Sequence, residues 1–254
     1  MKEDDFLVKM VGISKRFGTV QALKNVDFTV KHQEVIGLVG DNGAGKSTLI
    51  KILTGVHFPD EGEIYFEGEK QYIDSPKKAR DLGIETVYQN LALIDLMSIA
   101  RNFFLGREPV RKFAKVINFL DRKKIDTVTK EALKDIGIKV RSVDEEVLLL
   151  SGGERQAIAI GRAIYFGAKL LVLDEPTAAL SIKESHKVLD YVTDSRERGL
   201  SVIFITHNIY HVYSVADRFT ILEHGEKLGD FNKDEVSAED IIDVVRTGKT
   251  PSRL

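Results

Sequence analysis

Glu34-Val35-Ile36-Gly37-Leu38-Val39-Gly40-Asp41-Asn42-Gly43-Ala44-Gly45-Lys46-Ser47-Thr48 is the stretch on which the fold turns. Its first six residues are a short apolar run, which reads as a buried strand delivering the chain directly into Gly40. Lys46 to Leu53 then reads as a helix. The segment between fits G-x-x-x-x-G-K-[ST], a phosphate loop, with the strand before and the helix after that the motif requires. Glycines let backbone N–H groups turn inward around phosphate oxygens, and the helix amino terminus adds positive potential. Lys46 can reach the outer phosphates and the Ser47 hydroxyl can ligate Mg²⁺. Gly40, Asp41, Asn42, Gly43, Ala44, Gly45, Lys46, Ser47 and Thr48 are therefore the predicted nucleotide contacts.

Outward from the loop, Phe6 to Val11, Val26 to Val30 and Glu63 to Phe66 read as strands, so the amino-terminal part is mostly β. From about Ile94 to Lys139 the sequence turns charged and helix-favouring, as in Arg122 to Ile136, with few strand signals; this predicts a helical lobe. Alternation returns with a strand at Leu170 to Leu173, a helix at Ile182 to Arg198 stopped by Gly199, and a strand at Ser201 to Ile205. Val188, Leu189 and Val192 give that helix one apolar stripe. The pattern predicts an α/β fold with a largely parallel sheet and helices on its faces. Val236 to Val245 reads as a final helix.

Leu170-Leu171-Val172-Leu173-Asp174-Glu175 is an apolar strand ending in two carboxylates. Neighbouring side chains at a strand end point different ways, so Asp174 can hold a Mg²⁺ shell while Glu175 faces a water aligned with a γ-phosphate and polarises it as general base. A second glycine-rich element, Leu150-Ser151-Gly152-Gly153-Glu154, stands at a helix start. His207 follows the strand Val202 to Ile205 and precedes Asn208, a plausible helix cap.

The order phosphate loop, Gln89, Ser151-Gly152-Gly153-Glu154, Asp174-Glu175, His207 resembles the ATP-binding cassette (ABC) ATPases over nearly the whole chain. The resemblance implies the P-loop NTPase fold of that family, with a mixed-sheet core, an amino-terminal antiparallel β region and a helical lobe. It implies one domain over 1–254, in which 1–93 and 151–254 form a RecA-like core with the β region and 94–150 a helical subdomain. It implies ATP and Mg²⁺ as cofactors. By the same resemblance Lys46, Gln89, Glu175 and His207 are catalytic, and Ser47, Gln89 and Asp174 surround the metal. Gln89 also relays contact to a membrane partner, His207 meets the γ-phosphate, and Phe17 stacks on adenine. Ser151, Gly152 and Gly153 serve the ATP of a second subunit, so the working unit is a homodimer or a heterodimer with a similar subunit. The chain departs from the family's commonest pattern at Glu154, usually glutamine, and at Ser181, usually aspartate. Both departures, with Pro176 to Ser181 and Met97 to Glu108, resemble the sugar-importing branch of ribose, xylose and fructose type systems. The function so implied is an ATPase subunit, a translocase component peripheral to the cytoplasmic face of the cell membrane. It drives monosaccharide uptake through a separate integral permease fed by a solute-binding protein.

Composition weighs against the alternatives. With 37 basic and 39 acidic residues among 254, the net charge of −2 gives no general reason to bind nucleic acid or an anionic membrane. A soluble ABC ATPase acting on nucleic acid or ribosomes is the alternative reading. Such relatives usually carry a long coiled coil or two cassettes, and neither pattern is present. No apolar run approaches the roughly 18 to 20 residues of a membrane span, because Asp95, Arg101 and Asn102 interrupt Leu91 to Leu105. The absence of cysteine excludes disulfides, thiolate metal sites and cysteine nucleophiles.

Overall fold

The computed structural model describes residues 6–113, 117–135, 137–138 and 140–249. The run Val35 to Val39 forms strand β3 (Val35–Val39), and all five of its residues are buried. It lies in a six-stranded sheet with β6 (Ile84–Val87), β9 (Leu170–Asp174), β10 (Ser201–Ile205), β11 (Arg218–Glu223) and β12 (Glu226–Asn232), in the order β12-β11-β3-β10-β9-β6. All neighbours are parallel except the β11–β12 hairpin. The sheet is therefore mixed.

Alternation along the central strands shows why they are apolar without a break. Ile36, Leu38, Leu170, Val172, Ile203 and Ile205 point into one core, while Val35, Val39, Leu171, Leu173, Val202 and Phe204 point into another. A strand covered on both faces has no polar side to show. The first core is closed by α1 (Lys46–Leu53), α2 (Pro76–Asp81) and a four-stranded antiparallel sheet. That sheet comprises β1 (Phe6–Phe17), β2 (Val20–Lys31), β4 (Glu61–Phe66) and β5 (Glu69–Gln71), in the order β2-β1-β4-β5. The second core is closed by α5 (Gly152–Tyr165), α6 (Ile182–Glu197), α7 (Ile209–Val215) and α8 (Ala238–Thr247).

A third core joins α3 (Ile99–Phe103) and α4 (Arg122–Asp135) to α5 through Ile99, Phe103, Ile125, Leu133, Ala157 and Ile158. Helix α5 thus packs on this lobe with one stripe and on the sheet with another, Ala159, Ile160 and Ala163. Buried Asn102 pins the loop ahead of α3: its Oδ1 accepts from Ile94 N at 2.8 Å and its Nδ2 donates to the carbonyls of Ile94 and Met97, both at 3.0 Å.

Several expectations need correction. Within 94–139 the chain also forms an antiparallel ribbon, β7 (Val110–Phe113) with β8 (Ile117–Leu120). Each strand is four residues long, and Val110, Phe119 and Leu120 are exposed, so no buried face imposes a readable alternation. Strand β1 continues past Val11 to Phe17, because Gly12 forms an irregularity whose N–H is taken by Asp27 Oδ1 at 2.7 Å. Helix α4 ends at Asp135, and Ile136 lies outside the described residues.

The two sheets are tied by a buried ion pair. Arg218 on β11 donates Nε to Glu34 Oε1 at 2.8 Å and a terminal nitrogen to Glu34 Oε2 at 3.0 Å, and it also donates to the carbonyl of Thr29 on β2 at 2.8 Å. Removing Glu34 leaves buried Arg218 with Asp230, 3.3 Å from a terminal nitrogen, as its remaining carboxylate partner. Glu34→Ala should therefore cost about 2–3 kcal/mol in chemical denaturation, for the lost charged hydrogen bonds. Replacing both residues by Glu34→Leu with Arg218→Met should cost much less; equal losses in the two variants would show that the pair is not what couples the sheets.

Candidate functional site

Strands β3, β9 and β10 run parallel in register, Ile205 opposite both Leu38 and Asp174, so their carboxyl ends open side by side. Ligand clefts of α/β sheets form at such ends. Here the cleft is about 600 Å³ and is lined by Asn42 to Thr48, Gln89, Asp174, Glu175 and His207, with Val20 to Ala22 as a further wall.

The phosphate loop is held by its own lysine. Lys46 is 8% exposed, and its Nζ donates to the carbonyls of Gly40 at 2.6 Å and Asp41 at 2.9 Å. Burial holds its pKa below the usual lysine value, against the opposing pull of Glu175, Asp41 and Asp174. Gly40 has φ 145°, and a Cβ there would lie 2.1 Å from the carbonyl oxygen of Leu222. Gly45 has φ 103°, with Ala22 O 2.8 Å from the corresponding point. Both positions demand glycine.

Helix α1 begins at Gly45 with no side-chain cap. The other seven described α-helices are all capped, by Ser75, Ser98, Asp121, Ser151, Ser181, Asn208 and Ser237. Among the described α-helices, the one left with bare amino-terminal N–H groups is the one whose start lines the cleft, which suits an anion.

At the facing wall Glu175 leaves β9 with φ 50°, a conformation that costs a non-glycine residue energy and that concentrates at functional sites. Its N–H bonds Ile205 O at 2.9 Å. The carboxylate is fixed by three donors: Thr206 Oγ1 to Oε2 at 3.0 Å, His207 N to Oε1 at 3.1 Å, and His207 Nδ1 to Oε1 at 2.8 Å. The Nδ1 contact assigns that ring proton to the carboxylate side and leaves Nε2 facing outward. Burial, then the neighbouring Glu175 charge, raises the pKa of Asp174 above the usual aspartate value, against Lys46 and Lys51. Ser47, Gln89 and Asp174 contribute oxygen donors to the same cleft, a set suited to a hard cation.

The structure thus brings together Gly43, Asn42, Ala44, Gly45, Lys46, Ser47, Thr48, Gln89, Asp174, Glu175 and His207, while Gly40 and Asp41 hold Lys46 from behind. Phe17 stands outside the lining. It is 43% exposed, pairs with Val20 at the hairpin end, and meets the His57 ring edge-on at 5.1 Å between centroids. Ser151, Gly152 and Gly153 are also absent from the lining, at the start of α5. Thr206, fully buried, was missed because a threonine after an apolar strand carries no signal of its own.

A family model described as "ABC transporter" matches residues 23–178. The chain belongs to the ABC transporter family. This ABC cassette binds ATP, and its activity is ATP hydrolysis coupled to transport. It is 46% identical to the xylose/arabinose import ATP-binding protein of Sulfolobus acidocaldarius, over 94% of this chain and 93% of that one. It is 44% identical to the fructose import ATP-binding protein of Rhizobium meliloti, over 95% and 94%. A ribose import ATP-binding protein of Caldanaerobacter subterraneus is 39% identical over 93% of the cassette, which spans 47% of that protein. Among solved structures, a nucleotide-free ATP-binding cassette from an ABC transporter has the same fold, with TM-score 0.82, 24% identity and 98% of both chains covered. A dimeric cassette in a post-hydrolysis state bound to ADP and Pi gives TM-score 0.73 at 26% identity, covering 89% of this chain and 98% of that one.

Glu184, on α6, is a second residue that the motifs did not single out, although its spacing from Ser181 fits a capping box. Hydrogen bonds from the Ser181 hydroxyl, then from the N–H groups of Ser181 and Gly153, hold its pKa down at about 2 against an ordinary 4.5. A carboxylate with a depressed pKa contributes stability that is complete above its unfolded value and is lost as pH falls through its folded one. Between about pH 4.5 and 2 the cassette should lose this contribution. Glu184→Ala should therefore flatten that part of the acid-unfolding curve followed by circular dichroism.

Proposed function

We propose that the chain is the ATP-hydrolysing subunit of a sugar importer, and that Glu175 is its general base. What carries the reading is the Glu175 carboxylate, held by Thr206 and His207 on the wall opposite Lys46. Lys46 would bind the outer phosphates, and the bare start of α1 would take their oxygens. Glu175 would accept a proton from water as the water oxygen bonds to the γ-phosphorus and the bond to the bridging oxygen breaks, giving ADP and phosphate. Nε2 of His207 is the ring atom left to meet the γ-phosphate, as a donor in the doubly protonated ring.

Mg²⁺ would be held by Ser47, Asp174 and Gln89 and would neutralise phosphate charge. Among the described residues no group of three or more His, Cys, Asp or Glu could hold an ion. The exposed ring of Phe17, at the rim beside Val20, would stack on adenine.

Ser151, Gly152 and Gly153 would complete the site of a second subunit, which accounts for their position outside their own cleft. A homodimer closing on two ATP molecules is thus the proposed working unit. The identities to pentose and fructose import subunits support a monosaccharide as the solute, an integral permease as the partner and the cytoplasmic face of the membrane as the location. Among the described residues no helix is long and apolar enough to cross a membrane. A solute-binding protein would feed the permease, nucleic acid would play no part, and residues 94–150 would form the helical subdomain.

Glu175→Gln should bind ATP as tightly as the parent chain but hydrolyse it about 10²- to 10⁴-fold more slowly. Lys46→Ala should lose nucleotide affinity. Undiminished turnover in Glu175→Gln would remove the base assignment. In the native membrane complex, hydrolysis stimulated by xylose, arabinose, fructose or ribose would identify the solute, and stimulation by none of them would overturn sugar import.

A further inference from the structure

The two departures at Glu154 and Ser181 are halves of matching devices. At the start of α5, Ser151 N donates to Glu154 Oε2 at 2.9 Å and Glu154 N to Ser151 Oγ at 3.3 Å. At the start of α6, Ser181 N donates to Glu184 Oε2 at 3.0 Å and Glu184 N to Ser181 Oγ at 3.4 Å. The two boxes are not independent, because Gly153 N donates across to Glu184 Oε1 at 3.2 Å. The approach is close: a Cβ on Gly152 would lie 2.6 Å from Leu180 Cδ2, and one on Gly153 would lie 3.1 Å from Glu184 Cβ and Cγ.

The carboxylate divides its work. Oε2 also accepts from the Ser181 hydroxyl at 2.7 Å and so serves α6, whereas Oε1 serves Gly153. Oε1 can leave Gly153 without uncapping α6. At the α5 terminus Ser151 N and Glu154 N are already used within their box, so an incoming anion has Gly152 N and Gly153 N to meet, and at Gly153 N it meets a negative charge.

We propose that Glu184 is a built-in competitor for the signature turn: in the free subunit its carboxylate occupies the Gly153 N–H that a phosphate of the partner's ATP takes on dimer closure. It thereby raises the ATP concentration at which two cassettes close. The proposal rests on the split-site reading above and assigns Glu184 a positioning role, since it acts through Gly153.

The test uses the Glu175→Gln chain, in which ATP persists, and follows dimer formation against ATP concentration by light scattering. Adding Glu184→Gln removes the charge and leaves one oxygen, enough to cap α6 but not to hold Gly153 as well. The half-maximal ATP concentration should fall about fivefold, the worth of one displaced hydrogen bond. ATP binding by the monomer at its own phosphate loop should not change. Glu184→Asp, which keeps the charge for α6 but is one methylene shorter, should shift dimerisation in the same direction and guards against a folding defect in the first variant. A purely structural cap predicts the opposite, so an unchanged or increased ATP requirement in both variants overturns the competitor. If the Glu175→Gln parent stays monomeric at saturating ATP, the split site itself fails and the competitor with it.

Discussion

Three parallel strands covered on both faces must end together, and the chemistry of this cassette depends on that constraint. Strands β3, β9 and β10 each divide their side chains between two apolar cores, so none can slide by one residue without reversing its faces. Fixed in this way, the register sets Ile205 beside Asp174 and Leu38. The residues that follow each strand have no sheet left to join. They become the phosphate loop, the carboxylate pair and the Thr206-His207 turn, each supplied by a different strand and each placed by the same packing.

The charges at that edge are arranged for a polyanion in advance of its arrival. Lys46 is buried and held by two loop carbonyls, which are dipoles and not a counter-ion. Asp174 and Glu175 adjoin on the other wall, and burial, then the Glu175 charge, raises the Asp174 pKa. A nucleotide phosphate would relieve Lys46 of its desolvation, whereas the carboxylates gain nothing from a further negative charge unless a cation comes with it.

How much of this was legible depended on whether a residue's role was local. The phosphate loop, the strand leading into it, the apolar runs of β9 and β10 and the stripe of α6 are written in contiguous residues. Strand ends were harder. β1 extends six residues beyond Val11 through Ser14-Lys15-Arg16, a polar stretch with no apolar alternation of its own that is held by the hairpin to β2, Lys15 opposite Leu23 and Phe17 opposite Val20, and by the distant Glu61 of β4 opposite Ser14. The β7–β8 ribbon lacked a buried face to set a period. Within the site, Gln89 was legible by its order among the motifs, but Thr206 acquires its role only by lying 3.0 Å from Glu175, and nothing in its neighbours signals that.

The signature glycines show how an apparent ligand motif can have a steric cause inside one chain. Neither Gly152 nor Gly153 has a positive φ, so backbone freedom does not explain them. Space does: Leu180 and Glu184 lie where their Cβ atoms would be. The same contact that requires glycine brings a carboxylate to the end of α5, and Ala179 at φ 61° turns the chain so that Leu180 and Ser181 arrive there. A substitution in the loop after Glu175 is consequently felt at the signature turn of the same subunit before any partner is involved. If the signature of one cassette reads the ATP of the other, as the split site requires, the segment 175–184 links the two sites. It carries the proposed general base of its own site at one end and, at the other, the carboxylate proposed to compete for the neighbouring site.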